Sequence, residues 1–355
     1  MHGCARRGGA IALMPMMVVS MTIAWSQAAH ADEGGVSFWV PGLFGSLAAA
    51  PQQPGWSFTA IYYHTSVSAD GDVSRAREIQ IGRIPANLTA TVNANLNATA
   101  DLGLLFPNYI FSTPVLGGQA SLGLLVPFGR VSTSVTGTLS GTLTTPLGSA
   151  SVTRSDSISD AVSGFGDLIP LFTLRWNAGV HNYMTYLTGD IPVGTYDSAR
   201  LSNIGIGHGA FDVGGGYTYF DPKTGHEFSA VGGFTFNMEN TSTNYRNGVD
   251  FHLDWGASQF LTKQLQVGLV GYLYNQVTGD SGSGDRVGSF ESRVVGVGPQ
   301  IGYLFPLGDK QGYLNLKGYK EFDAANRPDG WNVWLTFSIS PAAPTAASPR
   351  PMITK

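Results

Sequence analysis

From Leu88 to Phe106 one parity of the chain is apolar throughout, and the other is polar as far as Asp101. Leu88, Ala90, Val92, Ala94, Leu96, Ala98, Ala100, Leu102, Leu104 and Phe106 share one parity, and Thr89, Thr91, Asn93, Asn95, Asn97, Thr99 and Asp101 share the other. A period of two is that of a β-strand with one apolar and one wet face. The run outlasts the roughly five or six residues of an ordinary strand, and Asn suits the exposed face of a soluble sheet poorly. A transmembrane barrel strand accounts for both features, and it predicts lipid on the Leu/Ala parity and water on the Asn/Thr parity.

Similar runs recur near residues 56–67, 88–111, 118–139, 164–177, 182–192, 206–220, 226–239, 247–258, 264–276, 290–305, 312–322 and 331–340. Short connections (112–117, 178–181, 221–225, 259–263 and 306–311) alternate with longer segments rich in Ser, Asn, Asp and Gly, among them 68–85 and 141–163. The fold expected is all-β: an antiparallel transmembrane β-barrel of about twelve strands (ten to fourteen), of outer-membrane type, over residues 56–340. An even strand number leaves both ends of the barrel on the short-turn, periplasmic side. Tyr109, Phe111, Trp176, Tyr183, Tyr217, Tyr219, Phe228, Trp255, Phe260, Tyr303, Phe305 and Tyr313 fall near the short-turn ends, as an interfacial girdle would. Glu291 and Arg293 share a parity that Gln300 does not, which predicts a bulge near Val295.

Composition agrees with this pattern. Charged residues are 12% of the chain against a usual ~25%, and its 47 glycines are nearly twice the usual ~7%. No window after the N-terminal region has the ~18 consecutive apolar residues of a membrane helix. The net charge of −4 argues against a nucleic-acid partner. Arg6 and Arg7, the apolar run 10–25 and Ala29-His30-Ala31 make a secretory signal peptide over 1–31, cleaved near Ala31. Cys4, the only cysteine, lies within it. Export to the bacterial outer membrane implies lipid and lipopolysaccharide as surroundings and the barrel-assembly machinery as a partner in biogenesis. Residues 341–355, with Pro341, Pro344, Pro349 and Pro351, read as a disordered Pro/Ala tail.

Parity places Asp101, Arg175, Asp190, Asp212, Glu227, Asp254, Lys317 and Glu321 on the inner face, because a charge facing mid-bilayer lipid costs about 2–4 kcal/mol. They read either as a hydrogen-bonded network that stiffens the lumen or as a constriction that sorts solutes by charge. The apolar leader, 32–55, has no evident strand partner. Phe38, Trp39, Leu43 and Phe44 are expected either to tuck into the barrel as a plug or to form an extra strand or lip. Tyr272, Tyr274 and Trp334 on inner faces extend an aromatic path. Two Gly-rich runs, 205–209 and 296–302, lack the GKS/T and the strand-loop-helix context of nucleotide loops. No HExxH or G-x-S-x-G occurs, so no catalytic residue, metal or cofactor is expected.

Ser37-Phe-Trp-Val-Pro-Gly, Ser163-Gly-Phe-Gly-Asp-Leu168, Gly189-Asp-Ile-Pro-Val-Gly194 and the closing Trp331-Asn-Val-Trp-Leu335 resemble the outer-membrane family named for the MetA pathway of phenol degradation, over nearly the whole of 33–341. The resemblance implies a barrel encoded beside aromatic-degradation enzymes and a transporter of hydrophobic or aromatic compounds, with no catalytic residues to carry over. The function expected is passive uptake of small hydrophobic, phenol-like solutes without a cofactor. An outer-membrane lipase or phospholipase barrel and a structural or adhesive barrel are the alternatives.

Overall fold

The computed structural model describes residues 37–81, 84–146, 148–285 and 289–343. The signal-peptide reading and the tail beyond 343 lie outside the described residues. Thirteen strands follow in order: β1 Gly55–Ile81, β2 Ile84–Ile110, β3 Gln119–Thr145, β4 Gly148–Phe165, β5 Ile169–Ala178, β6 His181–Asp190, β7 Ala210–Asp221, β8 His226–Asn237, β9 Asp250–Phe260, β10 Leu265–Gln276, β11 Arg293–Leu307, β12 Lys310–Ala325 and β13 Asp329–Pro341. All pairings are antiparallel. The β1–β13 and β2–β3 pairings close the sheet.

β4 and β5 are one wall strand interrupted by a bulge. Both pair with β3, Phe165 opposite Phe128 and Ile169 opposite Leu125, so four steps on one strand match three on the other. The protein is therefore a closed antiparallel barrel of twelve strands. A second register shift lies between Arg293 and Val295, where the parity change predicts it.

β5 and β6 have 10 residues each, the length a tilted strand needs to cross a bilayer. β1 to β4 extend well past that band. Ring contacts on the outer face mark both ends of the barrel: Trp56 with Tyr109, Tyr109 with Phe111, Tyr183 with Tyr217 and Tyr303 with Phe305 at the short-turn end, and Phe211 with Phe236 and Phe234 with Phe251 at the other. Tyr313 departs from this girdle. It shares its parity with the buried Asn315 and Lys317 and faces the lumen.

The other membrane edge is marked on the outside by His64, Asp101 and Arg130, adjacent in the register of β1, β2 and β3. Asp101 accepts from Tyr62 Oη at 2.6 Å and contacts His64 Nδ1 at 2.7 Å, with half of its side chain exposed. This corrects the inner-face placement of Asp101 and, with it, the lipid-facing assignment of the Leu/Ala parity. Leu102, Leu104 and Phe106 point inward, into an apolar cluster with Tyr63 and Trp334. The alternation of 88–101 belongs to strand above the membrane, where a polar outer face costs nothing. Within the membrane-crossing part of β2, Leu105 and Tyr109 on the outer face are apolar too.

Beyond that edge β1–β4 form a four-stranded blade, so 68–85 and 141–163 are largely strand rather than open loops. Its outer face continues in hydroxyls and amides, with Thr138 paired to Ser155 and Thr142 to Ser151 across β3 and β4. Its inner face carries apolar positions of one parity, including Leu96, Val135 and Ile158, which are neighbours in register. Sequence patterning missed β4 because most of its positions are Ser, Thr, Asp or Gly, and no lipid enforces an apolar face there.

The β6–β7 connection folds inward at the foot of the blade. Asp167, at the bulge, accepts the backbone N–H groups of Gly194 (2.7 Å) and Ile206 (2.7 Å). Thr195 packs on Gly164, and Asp160 binds Arg200 through two donors and accepts from Ser202 N. Arg200 and these N–H groups hold the Asp160 carboxyl down at about 2. A lowered carboxyl stabilises the docked loop above the ordinary aspartate range of about 4, and the contribution is lost as pH falls through the folded value. Hydrogen-exchange protection factors in residues 191–209, corrected for the intrinsic pH dependence of amide exchange, should thus keep the Asp160 contribution from neutral pH down to about 4. Asp160→Asn should expose the Arg200 bond to trypsin at neutral pH, with the barrel intact by heat-modifiable migration. Equal trypsin resistance would remove the anchoring role.

Candidate functional site

The lumen is lined asymmetrically. On β7, β8 and β9 the inner face is polar, with Asp212, Glu227, Ser229, Thr235, His252 and Asp254 all buried. Tyr272 and Tyr274, on β10 directly beside Asp254 and His252, join Trp334, Tyr63, Leu104 and Leu125 on β13, β1, β2 and β3 in one apolar cluster. The segment before β1, from Ser37 to Gln52, runs between the two.

An irregular backbone inside a barrel has no ladder to join, so each N–H and C=O needs a side-chain or turn partner. Gly42 N and Phe44 N donate to the two carboxylate oxygens of Asp254 at 2.9 and 3.0 Å. Lys317 Nζ donates to the carbonyls of Gly42, Leu43 (3.4 Å) and Phe44 (3.2 Å). Leu47 N reaches Glu227 at 2.9 Å, Ala49 N reaches Thr218 at 3.0 Å, and Arg175 donates to Ala48 O. Gln52 exchanges two hydrogen bonds with Gln119 at the short-turn end. The path is set locally by Val40-Pro41-Gly42-Leu43, a turn closed by Leu43 N to Val40 O at 3.1 Å. Pro at the second position and Gly at φ +88° at the third give the type II form. Gly256 on β9 meets the segment directly, since a Cβ there would lie 2.8 Å from Ser46 N.

The side chains go to both walls. Trp39 stacks on His252 with centroids 3.6 Å apart and on Tyr186 at 5.8 Å, and Phe44 lies 5.8 Å from Trp39. His252 in turn contacts Asp212 at 2.7 Å, and Thr235 donates to the same oxygen. Val40 and Leu43 pack against the apolar cluster. Phe38, also buried, lies further from the short-turn end. The structure thus brings Phe38, Trp39, Leu43, Phe44, Tyr272, Tyr274 and Trp334 into the lumen, together with Arg175, Asp212, Glu227, Asp254 and Lys317.

Glu321 faces inward and binds Tyr272 Oη (2.7 Å) and Gly330 N (2.8 Å), an internal brace on the apolar side. Asp190 is buried at the other end of β6, away from the segment's anchors. Sequence reading did not single out Thr218, Gln119, Tyr186, His252 as a stacking partner, or Gly256. Inner parity alone was the available signal for them. Residues 296–302 lie within β11, and 205–209 lie in the inward loop around Asp167, so neither run is a phosphate cradle.

A family profile described as "Putative MetA-pathway of phenol degradation" matches residues 81–337. Among solved structures, an outer membrane channel from Pseudomonas putida F1 matches with TM-score 0.56 at 14% identity, covering 82% of this chain and 97% of that one. The translocator domain of autotransporter NalP from Neisseria meningitidis matches with TM-score 0.29 at 8% identity, covering 83% and 91%. OccK10 (OpdN) from Pseudomonas aeruginosa matches with TM-score 0.30 at 10% identity, covering 80% and 98%. At 14% identity the Pseudomonas putida match shows a shared fold, and the two looser ones carry no argument. No curated protein matches the chain.

Gly256→Val places side-chain atoms where Ser46 now sits. Lys317→Met removes the cation beside Asp254, and breaking a buried charge constellation costs about 3–5 kcal/mol. Both variants should raise single-channel conductance in planar bilayers while retaining heat-modifiable migration. Conductance at the wild-type level in a folded barrel would mean that these contacts do not hold the segment in place.

Proposed function

The chain belongs to the MetA-pathway phenol-degradation family, and from that premise we propose that it is an outer-membrane channel for passive uptake of small hydrophobic, phenol-like compounds, closed at rest by its own leader. Short turns then face the periplasm and the blade faces outward. The observation that carries the reading is the division of labour in the lumen. Buried polar groups of the wall grip the leader's backbone, while Val40 and Leu43 join the apolar cluster and Trp39 and Phe44 form a second ring cluster with Tyr186 and His252. An aromatic solute arriving from the blade side meets Tyr274, Tyr272, Trp39 and Trp334, which offer stacking and apolar contact to a molecule that water solvates poorly. A polar solute would have to pass the same rings without compensation.

Movement would follow the concentration gradient created by metabolism inside the cell, so no energy source or cofactor enters. The leader would have to shift for passage, and the ring stack of Trp39 on His252 and Tyr186 is the contact an incoming aromatic can replace in kind. Little conductance is expected from the wild-type protein in a planar bilayer, with a change on adding toluene or phenol. Deletion of residues 37–50 should give a steady open conductance that toluene no longer alters. Large, solute-insensitive conductance from the wild-type protein would discard the plug and leave a general porin. In cells, loss of the protein should slow growth on a low concentration of an aromatic carbon source. Equal growth and equal uptake across such substrates would refute the cargo class.

A further inference from the structure

An arginine turned away from water is expected to find a carbonyl or a carboxylate, because a desolvated guanidinium without an acceptor is costly. Arg175 donates to Ala48 O, Arg200 to Asp160 and Arg246 to Asn237 O. Arg327 departs from this rule. Its guanidinium lies over the ring of Tyr274, 5.1 Å from the centroid, and its Nε is buried with no hydrogen-bond partner among the described residues. Tyr274 is itself buried and belongs to the apolar cluster of the lumen. The arginine as a whole is half-buried, so its charge is neither sealed in protein nor free in water.

The turn that carries Arg327 sets its place. Residues 326–328 join β12 to β13 at the end away from the short turns. Asn326, at φ +53°, donates through Nδ2 to Glu291 O at 2.9 Å, and Arg293 pairs with Asp323 at 2.9 Å where both are exposed. Pro328 follows and fixes its own φ. The acids of this end are engaged elsewhere. Glu321 takes Tyr272 Oη and Gly330 N, Asp323 takes Arg293, and Asp280 takes Tyr245 Oη, Gly248 N and Gln276. Asp250 receives Asn237 on Oδ2 and keeps Oδ1 without a partner, yet it too leaves Arg327 Nε unmet. A cation held by the fold on the outer side of the lumen, with a donor that no group of this chain satisfies, is arranged for an anion brought from outside.

We propose that Arg327, on the face of Tyr274, is an anion subsite at the outer mouth of the lumen and takes the carboxylate of an aromatic acid. This rests on the channel reading above and narrows its cargo. A carboxylate fits the guanidinium fork through two parallel hydrogen bonds, which a lone hydroxyl cannot reproduce. The ring carried by that carboxylate meets Tyr274 and the apolar cluster to which it belongs. Charge and ring are thus recognised by neighbouring groups. An aromatic acid gains from both, a neutral aromatic from one and a small aliphatic acid from the other. The acceptor that the chain does not supply to Arg327 arrives with the cargo.

The test is titration calorimetry on the full-length protein in detergent at neutral pH, with benzoate, benzyl alcohol and acetate as probes. Benzyl alcohol keeps the ring without the charge, and acetate keeps the charge without the ring. The wild type should bind benzoate about tenfold more tightly than either, or better. Arg327→Met should lower benzoate affinity to that of benzyl alcohol and leave benzyl alcohol unchanged. Arg327→Lys, which keeps the charge but not the fork, should fall between. Heat-modifiable migration reports that each variant is folded. Equal wild-type affinity for benzoate and benzyl alcohol, or a benzoate preference that survives in Arg327→Met, would overturn the subsite and leave the aromatic cargo standing. Acetate bound as tightly as benzoate would overturn the aromatic half of the proposal and leave a simple anion site. Failure of both aromatics to bind the wild type would overturn the subsite together with the cargo class.

Discussion

The structure depends on one requirement: a stretch of irregular backbone placed inside a closed barrel must find every hydrogen-bond partner there. Water does not reach it freely and no neighbouring strand can pair with it. Asp254 and Lys317 meet the requirement at its most demanding point, one taking two N–H groups and the other three carbonyls of the same short stretch. An anion on β9 and a cation on β12 clamp the peptide units from their two ends. Glu227, Thr218 and Arg175 repeat the arrangement nearer the short-turn end. Four of the lumen charges, Arg175, Glu227, Asp254 and Lys317, thus hold the leader's backbone, while Asp212 and Glu321 brace the wall itself.

That division makes closure firm in the backbone and yielding in the side chains. Trp39 Nε1 and Tyr319 Oη are buried without a hydrogen-bond partner among the described residues, and such groups cost about 1–3 kcal/mol each. The ring contacts, by comparison, are interchangeable with those of any aromatic molecule of similar size. A lumen built in this way favours a cargo able to compete for stacking and offers little to one that competes only for hydrogen bonds.

Much of this was legible in the sequence, for reasons that also explain what was not. Barrel class, strand rhythm and the strand-eleven bulge follow from parity, which is a local property. The leader announced itself because Phe38, Trp39, Leu43 and Phe44 are misplaced in water and have no strand to join. Asp101 was assigned to the wrong face because the usual rule, apolar outside and polar inside, assumes a wet lumen. Here the wall around Leu104 and Leu125 is apolar on both sides, so parity no longer distinguishes them, and the polar half of the pattern lies above the lipid. The anchors of the leader were unreadable for another reason. Asp254 is 212 residues from Gly42, and only closure of the barrel brings them together.

The blade has a consequence for how these molecules sit beside one another. A closed barrel has no free strand, yet β1 leaves β13 after Ser68 and continues to Ile81, while β4 from Gly148 to Ser159 has no strand on its far side among the described residues. Each molecule thus raises two bare strand edges above the membrane, over a length of roughly 40–50 Å at about 3.3 Å per residue. Such edges are templates for pairing with another chain. Asp70 on one border and Arg154 and Asp156 on the other put charge where a flush β-ladder between neighbours would need to form. In a crowded membrane this polarity keeps the blades apart, each standing as a single fin on its own barrel.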